Sequence, residues 1–147
     1  MQLIRAEQMV SQRGNEKHFT GTVWLNEMFN SIPESNGIQE PRGLKVYLVF
    51  FEPEARTAWH SHPEGQVLYV VAGNGRVKSV DASGEQEQQF DIHPGDIVSI
   101  AQDEKHWHGA GPKSFMAHIA IILDTAGTQD CWKEKVTDEE YQRGFKS

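Results

Sequence analysis

The chain has 147 residues, room for one domain at the usual roughly 100–200 residues each. Fourteen Lys and Arg against 21 Asp and Glu give a net charge of -7, with no basic cluster to meet a phosphate backbone, which argues against nucleic acid as a partner. The single cysteine, Cys131, forms no internal bridge, and neither the short apolar run at 46–51 nor the polar N-terminus supplies a membrane span or a signal-peptide core, so one soluble cytoplasmic domain over 1–147 with no membrane partner is expected.

Apolar residues fall in short bursts divided by turn chemistry. Bursts that are rich in β-branched and aromatic residues, and too short or wrongly phased for a helix, read as strands. The first spans 20–25, inside an N-terminal arm of about 18–30. A polar stretch at 30–41 with Pro33, Gly37 and Pro41 then reads as a surface loop. The body of the chain, about 43–124, offers strands at 45–51, 66–71, 76–80, 97–100 and 115–123. Between them Gly73-Asn74-Gly75 reads as a tight reversal and Asp81-Ala82-Ser83-Gly84 as a hairpin loop, with 85–89 a solvated hairpin arm. His93-Pro94-Gly95-Asp96 reads as a turn with Pro at its second position and Gly at its third. In the C-terminal extension, 125–147, Thr137-Asp138-Glu139-Glu140 has capping-box spacing and predicts a short helix running toward Tyr141. So many short strands predict an all-β sandwich or barrel. The arm strand stands apart from the main sheet across a long loop and is expected to pair with a second subunit, giving a homodimer or homotetramer.

Four of the seven histidines form two pairs, His60-Ser61-His62 and His106-Trp107-His108. Alternate side chains of a strand share a face, so each pair presents two imidazoles on one side and turns Ser61 or Trp107 to the other. Gln66 follows His62 by four residues, but Pro63 and Gly65 predict a bend between them, so parity alone leaves its direction open. His118 lies in an apolar strand, where a hydrogen-bonded core histidine is the plain alternative to a functional one. Trp59 and Trp107 have the parity of core or interface residues, Lys105 that of a surface or turn residue, and His18 and His93 are expected to be exposed.

The spacing His60, His62, Gln66, Gly73, followed by Gly95 and His106, resembles the two motifs of the cupins, jelly-roll barrels that hold a metal between those motifs. Departures fall on turn and support positions: Glu54 stands where the first motif often begins with Gly, Ala101 and Asp103 replace a Pro and a Gly, and Ala110 replaces an Asn. The resemblance implies a cupin jelly-roll with a metal on His60, His62, Gln66 and His106. Gln66 takes the place of the usual carboxylate. Three imidazoles and an amide leave the full +2 on a divalent ion, which favours Lewis acid chemistry over structural binding. The alternative is that Gln66 hydrogen-bonds a neighbour while three histidines carry the metal.

A narrower likeness runs through Thr20-Gly21-Thr22-Val23, Ala55-Arg56-Thr57-Ala58-Trp59-His60, Glu104-Lys105-His106-Trp107-His108-Gly109-Ala110, His118 and Val136-Thr137-Asp138-Glu139. It resembles the bacterial cupin hydroxynitrile lyases. That likeness implies Mn as the ion, with Fe, Ni, Co or Zn as other divalent ions suited to the donor set. It further implies that His108 and His118 flank a small-molecule substrate and handle the proton of hydrogen cyanide. His108 shares a face with His106, and a histidine near its ordinary pKa exchanges protons near neutrality. The expected activity is a C–C lyase acting on cyanohydrins or a related small hydroxy or carbonyl compound. The alternatives are a quercetinase-like metal-dependent dioxygenase and a non-catalytic binder of sugars or other small molecules.

Overall fold

The computed structural model describes residues 3–31, 43–124, 130–143 and 145. After a 3-10 turn at Ala6–Gln8 come β1 (Ser11–Arg13), β2 (Phe19–Thr20), β3 (Val23–Asn30), β4 (Leu44–Phe51), β5 (Arg56–Thr57), β6 (His60–Ser61) and β7 (Gln66–Gly73). They are followed by β8 (Gly75–Val80), β9 (Glu87–Ile92), β10 (Ile97–Ile100), β11 (Lys105–Ala110), β12 (Met116–Leu123), β13 (Cys131–Trp132) and a helix, α1 (Asp138–Gln142). The expected all-β jelly roll with a short C-terminal helix is what forms. The helix begins where the capping box predicts: Thr137 Oγ1 accepts from the Glu140 amide at 3.1 Å, and the Glu140 carboxylate accepts from the Thr137 amide at 2.8 Å.

Every strand pairing is antiparallel. One sheet runs β1-β3-β4-β12-β7-β10, and the facing sheet runs β13-β6-β11-β5-β2, with β8 joining β11 to β9. Between them lies a core that includes Phe19, Val23, Val49, Phe51, Leu68, Val70, Val77 and Met116, each worth roughly 1.5–3 kcal/mol of burial for the larger side chains. A second cluster forms on the outside of the second sheet, where Trp59 and Trp107 pack against Val136 and Tyr141. That cluster is why these two tryptophans take the opposite parity from the histidines. The C-terminal segment is tied down there by Arg56, which donates to Asp138 at 2.6 Å and lies 4.5 Å from the Tyr141 ring, and by the Tyr141 hydroxyl, which donates to the Ala110 carbonyl at 2.8 Å.

Several expectations are corrected. The N-terminal strand is not left for a second subunit, because β3 pairs with β4 of the same chain from Val23↔Phe51 to Asn30↔Lys45. Gly21, at φ +78, divides the 20–25 burst, and β2 pairs instead with β5 in the other sheet. Gly73-Asn74-Gly75 is no hairpin: β7 and β8 belong to different sheets, and the chain crosses between them there. Only glycine fits at 73, where φ is +72 and a Cβ would stand 1.9 Å from the Phe115 carbonyl oxygen. The loop expected over 30–41 falls, from residue 32 on, outside the described residues. The turn at 93–96 forms as expected, with the Asp96 amide donating to the His93 carbonyl at 3.0 Å and Gly95 at φ +94. The two positions where the sequence lacks an expected turn glycine, Glu54 and Asp103, nevertheless keep positive φ, at 69 and 57.

Candidate metal centre and imidazole pair

Register brings the two histidine motifs together. His106 on β11 stands directly opposite His60 on β6, and the side-chain alternation of β11 turns His106 and His108 inward while Trp107 faces the outer cluster. One ligand-capable nitrogen each from His60, His62 and His106 lies within 4.8 Å of the others, and all three residues are buried. Gln66 opens β7 in the facing sheet, where it pairs with Ile100 and Ile122. It is 6% exposed, and its Oε1 lies 3.1 Å from His106 Nε2. The bend after His62 thus carries the chain into the other sheet, so Gln66 meets the histidines from across the barrel.

The hydrogen bonds fix the tautomers. His60 Nδ1 donates to the Ala58 carbonyl at 2.9 Å, His106 Nδ1 to the Glu104 carbonyl at 2.7 Å, and His62 Nδ1 to the Asp130 carboxylate at 2.8 Å. All three partners are acceptors, so each Nδ1 carries a proton and each Nε2 is the nitrogen left to face a cation. His62 Nε2 is buried with no hydrogen-bond partner, and His106 Nε2 faces the amide oxygen of Gln66, acceptor to acceptor. That arrangement fits a cation: neighbouring ligands at about 2.1 Å from one ion stand about 3.0 Å apart when at right angles. Outward donation from the far ring nitrogen is also the usual way in which metal-binding imidazoles are oriented. Burial, with smaller contributions from the neighbouring imidazoles, holds His60 well below its ordinary pKa, and burial pushes His106 down to about 4, so both lone pairs are free at neutral pH.

Beside this cluster is a second pair. His118 on β12 reaches across from the first sheet, and its Nε2 lies 3.0 Å from His108 Nδ1. The unbroken alternation of β12 puts His118 on the same inward face as Met116, Ala120 and Ile122; the register shift beside it leaves the extra residue, Val71, on β7. His108 Nε2 and His118 Nδ1 are buried without partners. Whichever ring donates to the other, the pair keeps one free lone pair and one free N–H. The expectation of an ordinary pKa for His108 fails: burial, then the nearby His118, holds it well below the usual range, and burial pushes His118 down to about 4. The backbone amide of His108 donates to Thr57 Oγ1 at 3.2 Å, which fixes this part of β11.

All six of these residues except His106 line a cavity of about 570 Å3, within the usual range for small-molecule sites. Val49, Phe51 and Ile122 give it apolar walls. The Tyr47 hydroxyl, held up at about 12 by burial and then by Glu27, donates to Glu27 at 3.1 Å on the first sheet's side. Trp132 stacks on His60 at 4.7 Å, and His18 stacks on Trp132 at 4.2 Å and 3°. His18 is therefore a half-buried part of the cavity wall rather than an exposed residue, whereas His93 is exposed as expected. Lys105 is half-buried, paired with Glu134, with its ammonium 5.0 Å from the Trp59 ring. Sequence reasoning missed Asp130 and Trp132. Their one visible signal is a tryptophan isolated in a polar tail.

Residues 47–120 match the family model described as Cupin domain. Over 143 residues, 97% of this chain and 100% of the relative, the sequence is 41% identical to an (R)-mandelonitrile lyase of Granulicella tundricola. A shorter match, 32% identical over 85 residues, covers 58% of this chain and 48% of an acireductone dioxygenase of a Picosynechococcus species. Among solved structures, a cupin-like protein from Thermotoga maritima superposes with a TM-score of 0.75 and 36% identity, covering 88% of this chain and 90% of that one.

Proposed function

The chain belongs to the cupin family, and from that premise we propose that it is a divalent-metal-dependent lyase that cleaves or forms cyanohydrins or closely related small hydroxy compounds. The observation that carries this reading is the His118–His108 contact at 3.0 Å beside the three-histidine cluster, inside one apolar-walled cavity. The near full-length similarity to an (R)-mandelonitrile lyase supports it.

His60, His62, Gln66 and His106 would hold the ion, and the absence of thiolates from this donor set suits Mn, with Fe, Co, Ni or Zn able to replace it. A divalent ion there supplies Lewis acidity that makes a substrate hydroxyl easier to deprotonate, the more so because no carboxylate in the donor set reduces its charge. The imidazole pair handles the proton. Its free lone pair accepts the hydroxyl proton as the carbon–carbon bond to the nitrile breaks and the carbonyl forms, and its free N–H gives a proton to the departing cyanide. Depressed pKa values suit this role, since both rings stand neutral and ready to accept, and a protonated ring is a strong donor toward the more basic cyanide ion. Phe51 packs edge-on against His108 at 5.8 Å and keeps that side dry.

Replacing His108 or His118 with Ala should leave bound metal at the parent level and lower cyanohydrin cleavage about 10²–10⁴-fold, the usual contribution of a positioned acid or base. Loss of metal in step with activity would withdraw the catalytic role. A second reading, an oxygen-dependent reaction, draws on the partial similarity to acireductone dioxygenase; turnover that requires dioxygen would favour it.

A further inference from the structure

The cavity is graded from floor to mouth. β3, β4 and β12 contribute inward side chains in rows set by register: Val23, Phe51 and Met116 in the first, Leu25, Val49 and His118 in the second, Glu27, Tyr47 and Ala120 in the third. The first row is sealed, at 1%, 0% and 0% exposed, whereas in the third Tyr47 is half-buried and Glu27 exposed. The second and third rows both line the cavity. Two residues of each strand separate them, about 6.7 Å. A molecule whose reacting carbon stands at His118 and His108 therefore extends past Leu25 and Val49 toward Tyr47 and Glu27.

That end of the cavity is built from acceptors. The Tyr47 hydroxyl at 3.1 Å and the Asn30 amide at 3.3 Å both donate to Glu27 Oε2, and neither engages Oε1. A bulge at Met28 makes this possible, because it brings Asn30, opposite Lys45, onto the same face as Glu27, opposite Tyr47. With its one proton committed to Glu27, the Tyr47 oxygen has only lone pairs to offer a ligand. Asp130 engages one oxygen with His62 Nδ1 and adds a further negative charge to this side: burial, then Glu27, and last Asp130 push the Tyr47 hydroxyl up to about 12. Lys45 also lines the cavity, but its ammonium is turned to Asp124 at 3.0 Å.

We propose that Glu27, aimed by Tyr47, is a specificity-determining residue that selects substrates with a hydroxyl at the end remote from the reacting carbon, an inference that rests on the lyase reading for the reacting end. A cyanohydrin of a para-hydroxylated aromatic aldehyde has this form. Its phenolic oxygen lies about 6 Å from the carbon that carries the nitrile, by ordinary bond lengths, which is close to the spacing of the two rows. The hydroxyl donates to Glu27 Oε1, whereas an ether or a bare ring at that place takes the carboxylate oxygen out of water and gives it no donor.

Isothermal calorimetry of the full chain loaded with Mn, titrated with para-hydroxybenzyl alcohol and with para-methoxybenzyl alcohol, reads this end of the cavity without chemistry, since both probes carry the reacting hydroxyl and no nitrile. The parent should bind the first about 10-fold more tightly, the low end for a hydrogen bond to a charged group because Glu27 is exposed. Glu27→Gln keeps the size and an oxygen for Tyr47 but turns an N–H donor to the ligand, so the ratio should fall to about 1 or below. Tyr47→Phe keeps the ring and removes the hydroxyl that aims Glu27, and its ratio should lie between the two. The same order should appear in kcat/KM for the para-hydroxy and para-methoxy forms of mandelonitrile. A parent that binds both probes alike overturns the proposal, as does a preference that Glu27→Gln leaves intact. Tighter binding of the hydroxyl probe with no cleavage of either nitrile upholds the selecting role of Glu27 and fails the lyase reading; cleavage without preference does the reverse.

Discussion

Asp130 should govern how tightly the site holds a metal, although it lies in a polar tail far from either histidine motif. Its carboxylate accepts the Nδ1 proton of His62 at 2.8 Å and is about one-third exposed, while His62 itself is buried. The hydrogen bond holds the ring with Nε2 toward the other two imidazoles, and the negative charge makes that nitrogen a stronger donor to a cation. Asp130→Ala removes both effects. Losing such an orienting partner typically weakens metal binding 10–100-fold, about 1.4–2.8 kcal/mol, and this agrees with the ~1.5–3 kcal/mol of a hydrogen bond to a charged group. Asp130→Asn keeps an acceptor at the same place and removes the charge, so it should fall between the parent and the alanine variant. Competition against a chelator of known affinity, with Mn and again with Zn, reads the effect directly. Thermal unfolding of the metal-free Asp130→Ala protein should fall by a few degrees, because the buried His62 Nδ1 loses its acceptor there as well. An Asp130→Ala protein that binds within twofold of the parent would refute the reasoning, and equal losses in Asn and Ala would remove the charge argument while leaving the geometric one.

Gln66→Glu should retain metal at least as tightly while lowering cyanohydrin turnover, because the added charge weakens the Lewis acid; unchanged or higher turnover refutes that account. Glu54→Gly should stabilise the fold by about 0.5–1 kcal/mol, since a left-handed residue costs an L side chain about 1–2 kcal/mol and glycine's extra unfolded-state freedom offsets part of that. Asp103→Gly should gain less, because Asp tolerates this region better, and thermal melts distinguish the two. The metal-free protein should weaken in acid. His106 and His118 stay neutral in the fold down to about 4, whereas the unfolded chain protonates them below about 6.5, so their contribution is complete above 6.5 and is lost as the pH falls toward 4. Between pH 6.5 and 5 each should cost about 1.6 kcal/mol in urea unfolding, and a flat profile over that range contradicts the burial of these rings.

What the sequence alone determined is local. Alternation fixes the common face of His106 and His108 and sends Trp107 to the other side, because a strand turns each successive side chain over whatever it packs against. Turn chemistry fixes the reversal at His93-Pro94-Gly95-Asp96, since Pro fixes its own φ and Gly alone reaches the positive φ of the third position at no steric cost. The Thr137 capping box fixes the start of α1, since its donors and acceptors lie three residues apart. The motif spacing likewise marks the residues gathered at the centre. Tertiary structure decided whatever depends on which strands become neighbours. It carried Gln66 into the facing sheet after the bend at Pro63 and Gly65, and it seated the arm strand on β4 rather than leaving it free. It set His118 against His108 from across the barrel, brought Asp130 and Trp132 back to His62 and His60, and buried His60, His106, His108 and His118 deeply enough to depress their pKa values. Contacts between residues tens of positions apart leave no periodicity for a sequence pattern to show, and a pKa follows from the surroundings of a side chain rather than from its place in the chain.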